Sequence, residues 1–111
     1  MEAGSIWVAG SPVIGLISLT QIEELILIEN VAVHPDRQGS RVGRLLMEFA
    51  EDYARKRQVR RLALHTNEVM TENQAIYAHL GYQVTSRRSE NGYRRIYMEK
   101  TLPVEGEDSV G

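Results

Sequence analysis

A glycine-bearing segment between a β-rich run and a helical pattern is the part of the sequence best suited to chemistry. The β-rich run ends at Val33, Gly39 lies in the following loop, and Gly43 lies in the first turn of the helical pattern. The first turn of a helix has unpaired N–H groups and the positive end of the helix dipole, and glycines let a ligand approach the backbone. We therefore predict a phosphate site here. The side chains available for charge-assisted contacts are those of Arg37, Arg41 and Arg44.

Two common phosphate-binding motifs are absent from this segment. It contains no Gly-Lys-Ser/Thr of the P-loop type, and its glycines lack the spacing of the dinucleotide fingerprint. Many strand-loop-helix segments with glycines are only tight turns. At this point a simple turn therefore stays open as the alternative to a phosphate site.

The elements that would position this segment form a mixed α/β pattern. The clearest is a long helix, because the apolar residues over 42–54 recur every three or four positions along one stripe. We predict the order β-β-β-α-β-α-β-β, a mixed sheet with helices packed on it, with parallel strands before and after the long helix. The predicted strands are 6–9, 13–19, 25–33, 62–66, 82–85 and 94–100.

Three local signals define the second half of the chain. Thr71 with Gln74 three residues later predicts a capping box at the start of a second helix. Gly81 suits the left-handed position that closes a helix, and the Asn91-Gly92 pair predicts a hairpin turn. Residues 103–111 are acidic and rich in small side chains, so we expect a frayed tail.

The first segment contains Val31-Ala32-Val33 and Gln38 to Gly43, and a second segment contains Tyr77, Gly81 and Tyr82. Together the two segments resemble motifs of the GCN5-related N-acetyltransferase (GNAT) family. The family's principal motif is a strand ending in a Val-Ala-Val-like triplet, then Gln/Arg-x-x-Gly-x-Gly/Ala leading into a helix. Its next motif is a helix ending in Tyr-x-x-x-Gly-Phe/Tyr, matched here by Tyr77, Gly81 and Tyr82. The two motifs stand in the expected order, and the resemblance covers roughly residues 5–102. The first motif is matched by Val31, Ala32, Val33, Gln38, Gly39, Ser40, Arg41, Val42 and Gly43.

The resemblance implies an N-acyltransferase that moves an acetyl group from acetyl-CoA to a primary amine by direct transfer in a ternary complex. It implies a GNAT-like α/β domain at 1–102, acetyl-CoA as co-substrate and no metal. The alternative is a catalytically inactive module that binds CoA or a partner. The histidines show no metal-ligand spacing and form no triad with a serine.

The same resemblance implies where CoA binds. The pantetheine arm would pair with the strand backbone at 31–33, and the pyrophosphate would sit on the loop amides at 39–44. Two departures stand out: Arg41 replaces the usual glycine, and the chain begins at about the family's second strand. The implied cofactor-binding residues are Val31, Ala32, Val33, Gln38, Gly39, Ser40, Arg41, Val42, Gly43, Arg44, Asn73 and Tyr77.

Two residues are candidates for acid–base catalysis. In the family motif the tyrosine at Tyr77 approaches the CoA sulfur, and a phenol with a pKa of about 10 is protonated at neutral pH and can serve a departing thiolate. Glu29 is the candidate base, because it lies in an apolar run and shares strand parity with Val31 and Val33, so we expect it to be partly buried. The alternatives are that Tyr77 is only a core residue, and that Glu29 is a solvent-facing residue that has no role or only contacts the acceptor. Asn73 lies one turn before Tyr77 on the same helix face.

Composition limits the setting of this chemistry. The chain has 111 residues, no cysteine and a formal net charge of −2, which removes disulfides and thiolate sites and argues against nucleic acid as a partner. No apolar stretch has the ~20 residues of a membrane span, so we expect a soluble, cytoplasmic protein. The family's elements before its second strand have no counterpart in this sequence, and we expect that to leave apolar surface open. We therefore predict a homodimer. The expected acceptor is a small-molecule or peptide amine.

Overall fold

The predicted order of strands and helices is confirmed. A computed structural model describes residues 5–10, 14–37, 41–69 and 71–103, without the Glu72 side chain. Gln38, Gly39 and Ser40 of the predicted phosphate loop, and the tail at 104–111, lie outside the described residues. The elements are β1 (Ser5–Ala9), β2 (Gly15–Ile22), β3 (Leu25–Val33), a 3-10 turn (Pro35–Arg37), α1 (Val42–Lys56), β4 (Arg61–Asn67), α2 (Thr71–His79), β5 (Gln83–Glu90) and β6 (Tyr93–Thr101).

The strands form a single six-stranded sheet in the order β1-β2-β3-β4-β6-β5. β3 and β4 are parallel, as predicted for strands joined by the long helix, and the other neighbours are antiparallel. The parallel pair needs a crossover connection, and α1 supplies it. Within the described residues no helix is long and apolar enough to cross a membrane.

Helix α1 packs its apolar stripe on one face of the sheet. Leu45, which the periodicity placed on this stripe, is 58% exposed. It lies on the flank of the stripe, where Phe49 and Tyr53 further along contact the Trp7 ring at centroid distances of 5.3 and 5.0 Å. The buried residues of α1 are Val42, Leu46, Met47, Ala50 and Ala54, and those of the central strands are Ile17, Leu19, Ile26, Ile28, Leu62, Leu64, Ile96 and Met98.

The close approach of α1 to β2 depends on Gly15. A Cβ atom there would lie 2.9 Å from the Val42 Cγ1 atom and 3.2 Å from the Ala32 carbonyl oxygen. Both distances are shorter than ordinary van der Waals contact, so any side chain would displace the helix or the strand. Gly15 thereby fixes the start of α1 against the sheet, beside the end of β3.

Lys100 joins α1, α2 and β6. Its Nζ donates to the Glu51 Oε2 atom at 2.8 Å and to the Leu80 carbonyl oxygen at 2.7 Å. The carbonyl belongs to the C-terminal end of α2, where a cation is favourable. Gly81 follows with φ +101°, which confirms the predicted left-handed residue after this helix.

The remaining turn signals differ in outcome. Asn91 and Gly92 both have positive φ, 52° and 82°, which confirms the predicted hairpin between β5 and β6. Gln74, predicted to form a capping box with Thr71, uses its side-chain amide to donate to the Glu68 carbonyl oxygen at 2.8 Å. The observed role of Gln74 is therefore to tie α2 to the end of β4.

Candidate functional site

β3 and β4 separate after a short stretch of pairing. Their parallel ladder ends at Leu27, paired with Ala63, although β3 continues to Val33 and β4 to Asn67. Past that pair β3 and β4 are no longer paired with each other, which leaves an opening in the middle of the sheet. On the side that faces the opening, the part of β3 after Leu27 (residues 28–33, called the upper half below) has no ladder with β4. An extended ligand with amide groups can pair with such a strand edge.

A β-bulge at Glu29 accompanies this loss of pairing. In the register between β2 and β3, Leu19 pairs with Ile28 and Ser18 pairs with Asn30, so Glu29 is the extra residue. A bulge bends its strand and increases the local twist. The bend falls two residues after the last pair with β4, which accounts for the position of the opening.

The bulge also places Glu29 on the face opposite to that of Val31 and Val33. Its carboxylate accepts hydrogen bonds from Thr20 Oγ1 at 2.5 Å and from Ser18 Oγ at 3.4 Å. Both hydroxyl residues alternate with the buried residues of β2, so they lie on the sheet face opposite α1, called the open face below. Val31, by contrast, packs against the core. The predicted shared parity is therefore wrong, and Glu29 is exposed rather than partly buried, because the extra residue shifts the alternation.

Helix α1 begins at the upper end of this opening. Arg41 is its N-cap residue and makes no side-chain capping hydrogen bond, and the first turn contains no acidic residue. The Leu45 N–H donates to the Arg41 carbonyl oxygen at 3.0 Å, which is the first bond of the helix ladder. Because the amides of a first turn lie ahead of that ladder, this end of α1 has the chemistry of an anion site.

No packing contact among the described residues requires a glycine at Gly43. It is helical without a positive φ, and within the described part of the chain a Cβ atom there would meet only the Val33 Cγ2 atom, at an ordinary contact distance of 3.7 Å. Glycine in a helix costs about 1 kcal/mol relative to alanine. A glycine that weakens the helix and serves no internal contact fits a position where a ligand approaches the backbone.

A cleft runs between the start of α1 and the outer side of α2. It has a volume of about 270 Å³. Of the arginines predicted to contact phosphate, Arg44 lines it and pairs with Glu48 at 3.3 Å between Nε and Oε2, while Arg37 and Arg41 are exposed nearby in the chain. The lining residues are Arg44, Ala75, Ile76, His79 and Leu80.

Tyr77 is half-buried on α2, and burial raises the pKa of its phenol above the ordinary value. Its ring meets the Tyr82 ring edge-on at 6.2 Å between centroids. Its hydroxyl has no hydrogen-bond partner in the part of the chain that the structure describes. The phenol is thus neutral at neutral pH and able to donate a proton. Asn73, one turn earlier, is also half-buried.

His65 is a residue of this region for which the sequence predicts no role. It is exposed on β4, two residues after the last residue paired with β3, and its ring lies 5.6 Å from the Tyr97 ring. Glu29 stands at the same distance past the pairing on β3. Only the strand register places the two residues on opposite sides of the opening, so no local pattern could have found His65.

Comparison with known proteins decides the family. The sequence profile of the Acetyltransferase (GNAT) family matches residues 1–82. The chain belongs to this family. Mouse N-alpha-acetyltransferase 80 is 38% identical over an alignment of 87 residues, which covers 70% of this chain and 26% of that protein. The chain therefore spans about a quarter of the length of that relative.

Solved structures of GNAT proteins share the fold. The ribosomal-protein-S18-alanine N-acetyltransferase of Escherichia coli matches with a TM-score of 0.84 at 22% identity, covering 97% of this chain and 75% of that chain. A GNAT family acetyltransferase from Elizabethkingia anophelis with acetyl-CoA bound matches with a TM-score of 0.82 at 21% identity, covering 89% and 76%. This similarity confirms the predicted GNAT fold.

The Tyr82 hydroxyl gives a test of the packing beside Tyr77. Tyr82 is 2% exposed, and its hydroxyl is buried without a hydrogen-bond partner among the described residues. Burial raises the pKa of Tyr82, and the nearby Glu51 and Tyr77 raise it further. Because the folded state holds this proton more tightly than the unfolded state, the associated stability is present below pH ~10 and is lost as pH rises above it.

We predict that Tyr82→Phe stabilises the protein at pH 7 by about 1 kcal/mol, since it removes an unsatisfied buried hydroxyl. Thermal unfolding should show an increase of a few degrees in Tm and a shallower loss of stability above pH ~10. Tyr93→Phe, at a residue that is 58% exposed, is the matched control and should change neither. A lower Tm for Tyr82→Phe would mean that the hydroxyl has a partner.

Proposed function

We propose that this GNAT protein is an acetyl-CoA-dependent N-acetyltransferase that transfers acetyl directly to a primary amine in a ternary complex. The observation that carries the proposal is the opening between β3 and β4 beside the first turn of α1. It offers the part of β3 that has no ladder with β4 to an amide-containing arm, and helix amides to the phosphates of the ligand. GNAT structures of this fold with acetyl-CoA or CoA bound support the same co-substrate.

The CoA arm lies along the upper half of β3 in this proposal. Its pantetheine amides pair with the strand backbone at 31–33, and its pyrophosphate rests on the first turn of α1, where Gly43 leaves room for it. The side chains of Val31 and Val33 keep their packing against the core. The strand can therefore serve core and ligand together, because the core uses its side chains and the ligand uses its backbone.

The thioester then lies in the opening between β3 and β4, which connects the two faces of the sheet. The amine nitrogen attacks the carbonyl carbon, the new C–N bond forms as the C–S bond breaks, and the proton on nitrogen must leave. The Val31 N–H donates to the carbonyl oxygen as charge develops on it, and Tyr77 gives a proton to the departing thiolate. Glu29 on the open face takes the proton of the amine, directly or through one water. CoA thus enters from the helix side and the acceptor from the open face.

The favoured acceptor is the amino terminus of a peptide. The mouse relative is named an N-alpha-acetyltransferase, and the Escherichia coli structure is that of an enzyme named for an alanine of a ribosomal protein. A module that binds CoA or a partner without catalysis is the second candidate. It would bind acetyl-CoA and transfer no acetyl group to any amine. A cytoplasmic location stays a prediction.

Dimerisation also stays a proposal. Strand β1 lies at the edge of the sheet, and its Ile6 and Val8 side chains are 66% and 60% exposed. Exposed apolar residues on an edge strand favour pairing with another chain. We expect sedimentation velocity at tens of micromolar to give a dimer, and a monomer at that concentration would contradict the proposal.

Acetyl-CoA should stabilise the protein, by about 2.7 kcal/mol at ~100 times its Kd. Gly43→Asp should abolish this stabilisation, because it places a negative side chain where phosphate approaches. The same change should leave the free protein as stable as the parent or more stable, since an acidic residue favours the first turn of a helix. Opposite effects on the free and the bound protein separate ligand binding from folding.

Thermal-shift titrations with acetyl-CoA measure both effects. Gly43→Ala is the matched control: it raises the stability of the free protein, because the site has room for a methyl group, and weakens binding less than the aspartate. Parental acetyl-CoA affinity in Gly43→Asp would show that the start of α1 is only a turn.

Catalytic roles can be separated from binding with two substitutions. Tyr77→Phe keeps the ring and removes the hydroxyl, so it should lower kcat by ~10²-fold or more with little change in acetyl-CoA affinity. Glu29→Gln should remove the acidic limb of the pH–rate profile, which reports the base. Steady-state rates across pH with one peptide acceptor measure both. Parental rates and profiles in both variants would leave positioning and the strand amides as the only catalysts.

A further inference from the structure

Helix α2, which carries Tyr77, is short and weakly anchored by its side chains. It has nine residues, and helices of fewer than ~12–15 residues are marginal on their own. Each of its described side chains is half-buried or exposed. Near its start the Gln74 side-chain amide donates to the Glu68 carbonyl oxygen. The position of α2 therefore depends largely on polar contacts at its two ends.

Lys100 supplies the contact at the other end. Its ammonium group donates to the Leu80 carbonyl oxygen at 2.7 Å and to the Glu51 Oε2 atom of α1 at 2.8 Å. Gly81 leaves room for the lysine stem, because a Cβ atom there would lie 3.3 Å from the Lys100 Cε atom. The Lys100 and Glu51 side chains are only 23% and 13% exposed, so solvent screens this ion pair less than a surface pair. One side chain thus fixes α1, α2 and β6 relative to one another.

The turn that Lys100 holds is also the turn that fixes Tyr77. The Tyr77 carbonyl oxygen accepts from the Leu80 N–H at 3.1 Å and from the Tyr82 N–H at 3.0 Å. The Tyr77 ring also meets the Tyr82 ring edge-on. Two hydrogen bonds therefore lead from the Lys100 ammonium through Leu80 to the Tyr77 backbone. The phenol hydroxyl is not part of this path, so Lys100 acts on it through the position of the turn.

We propose that Lys100 is a positioning residue for acetyl transfer, which holds the Tyr77 hydroxyl at proton-donating distance from the CoA sulfur. The inference rests on the proposed function, in which the first turn of α1 binds the pyrophosphate and Tyr77 protonates the departing thiolate. The acid and its target are then fixed to two different helices, and Lys100 bonds to both. Proton transfer needs the two atoms within hydrogen-bond distance, and a displacement of ~1 Å can lower the rate ~10²-fold.

The test is a kinetic double-mutant cycle between Lys100 and Tyr77. Lys100→Met keeps a flexible apolar stem and removes the ammonium, and it is made in the parent and in Tyr77→Phe. Steady-state rates are measured below the Tm of every variant, with acetyl-CoA and one peptide acceptor chosen from a panel that differs in its first residue. We expect Lys100→Met to lower kcat about tenfold or more in the parent, with the KM for acetyl-CoA within about twofold. In Tyr77→Phe the same change should lower kcat less than about twofold, because the hydroxyl that Lys100 positions is already absent.

Two further variants separate positioning from a general loss of stability. Arg61→Gln is the matched control, because it removes a cation from another ion pair of β6, with Glu99 at 2.9 Å, and it should keep the parental kcat. Glu51→Gln keeps an oxygen acceptor for Lys100 and weakens the bridge. It should give a smaller loss of kcat that also disappears in Tyr77→Phe, and it keeps the test decisive if Lys100→Met does not fold. Lys100→Met itself should lower Tm by a few degrees, since the largely buried Glu51 carboxylate loses its nearest cation.

Four outcomes would count against the inference. Equal fold losses for Lys100→Met in the parent and in Tyr77→Phe would show a structural effect only, and would overturn it while leaving acetyl transfer in place. Parental kcat in both Lys100→Met and Glu51→Gln would overturn it whatever the change in KM. A parental rate in Tyr77→Phe would remove the proposed acid, and this inference with it, from an enzyme that still transfers acetyl. Transfer to no amine by the parent would overturn the proposed function itself.

Discussion

Every part of the site depends on the separation of β3 from β4 beyond Leu27. The two strands are held together at their lower ends by three paired positions and by the crossover helix α1. Above that point the bulge at Glu29 bends β3 toward β2, with which it stays paired up to Val33. A continuous ladder would have satisfied more backbone groups. Beyond Leu27 the sheet lacks those hydrogen bonds between β3 and β4, and the edge of β3 is available to a ligand that can form them instead.

The separation also connects the two faces of the sheet. On one face α1 places its first turn at the opening, and Lys100 holds α1 and α2 together through Glu51 and Leu80. On the other face Glu29 and its hydroxyl partners stand at the mouth of the same opening. Because the thioester would lie between the faces, the two reactants need not compete for one entrance. A sheet that was paired along its whole length would keep the faces apart.

Two features weaken the fold locally, one in the first turn of α1 and one on the hairpin of β5 and β6. Gly43 lowers helix stability without an internal contact that requires it, and Arg88 repels Arg95 across two strands. A sequence chosen only for stability would place alanine and an opposite charge at these positions. A conflict like that at Gly43 is expected where a ligand supplies the missing interaction. Gly15 is the opposite case, because its small size is demanded by the packing of α1.

The sequence by itself determined the elements and their turns. The period of the apolar residues placed α1, the conformational freedom of Gly81 and Gly92 placed two turns, and the paired motifs placed the chain in its family. Each of these is set by residues close together in the chain. Orientation across strands was decided only by the tertiary structure. The alternation from Leu25 to Val33 runs on in the sequence, yet one extra residue at Glu29 moves Val31 and Val33 to the face opposite to that of Glu29. For the same reason the positions of His65 and Arg95 could not be predicted, since register belongs to a pair of strands rather than to either one.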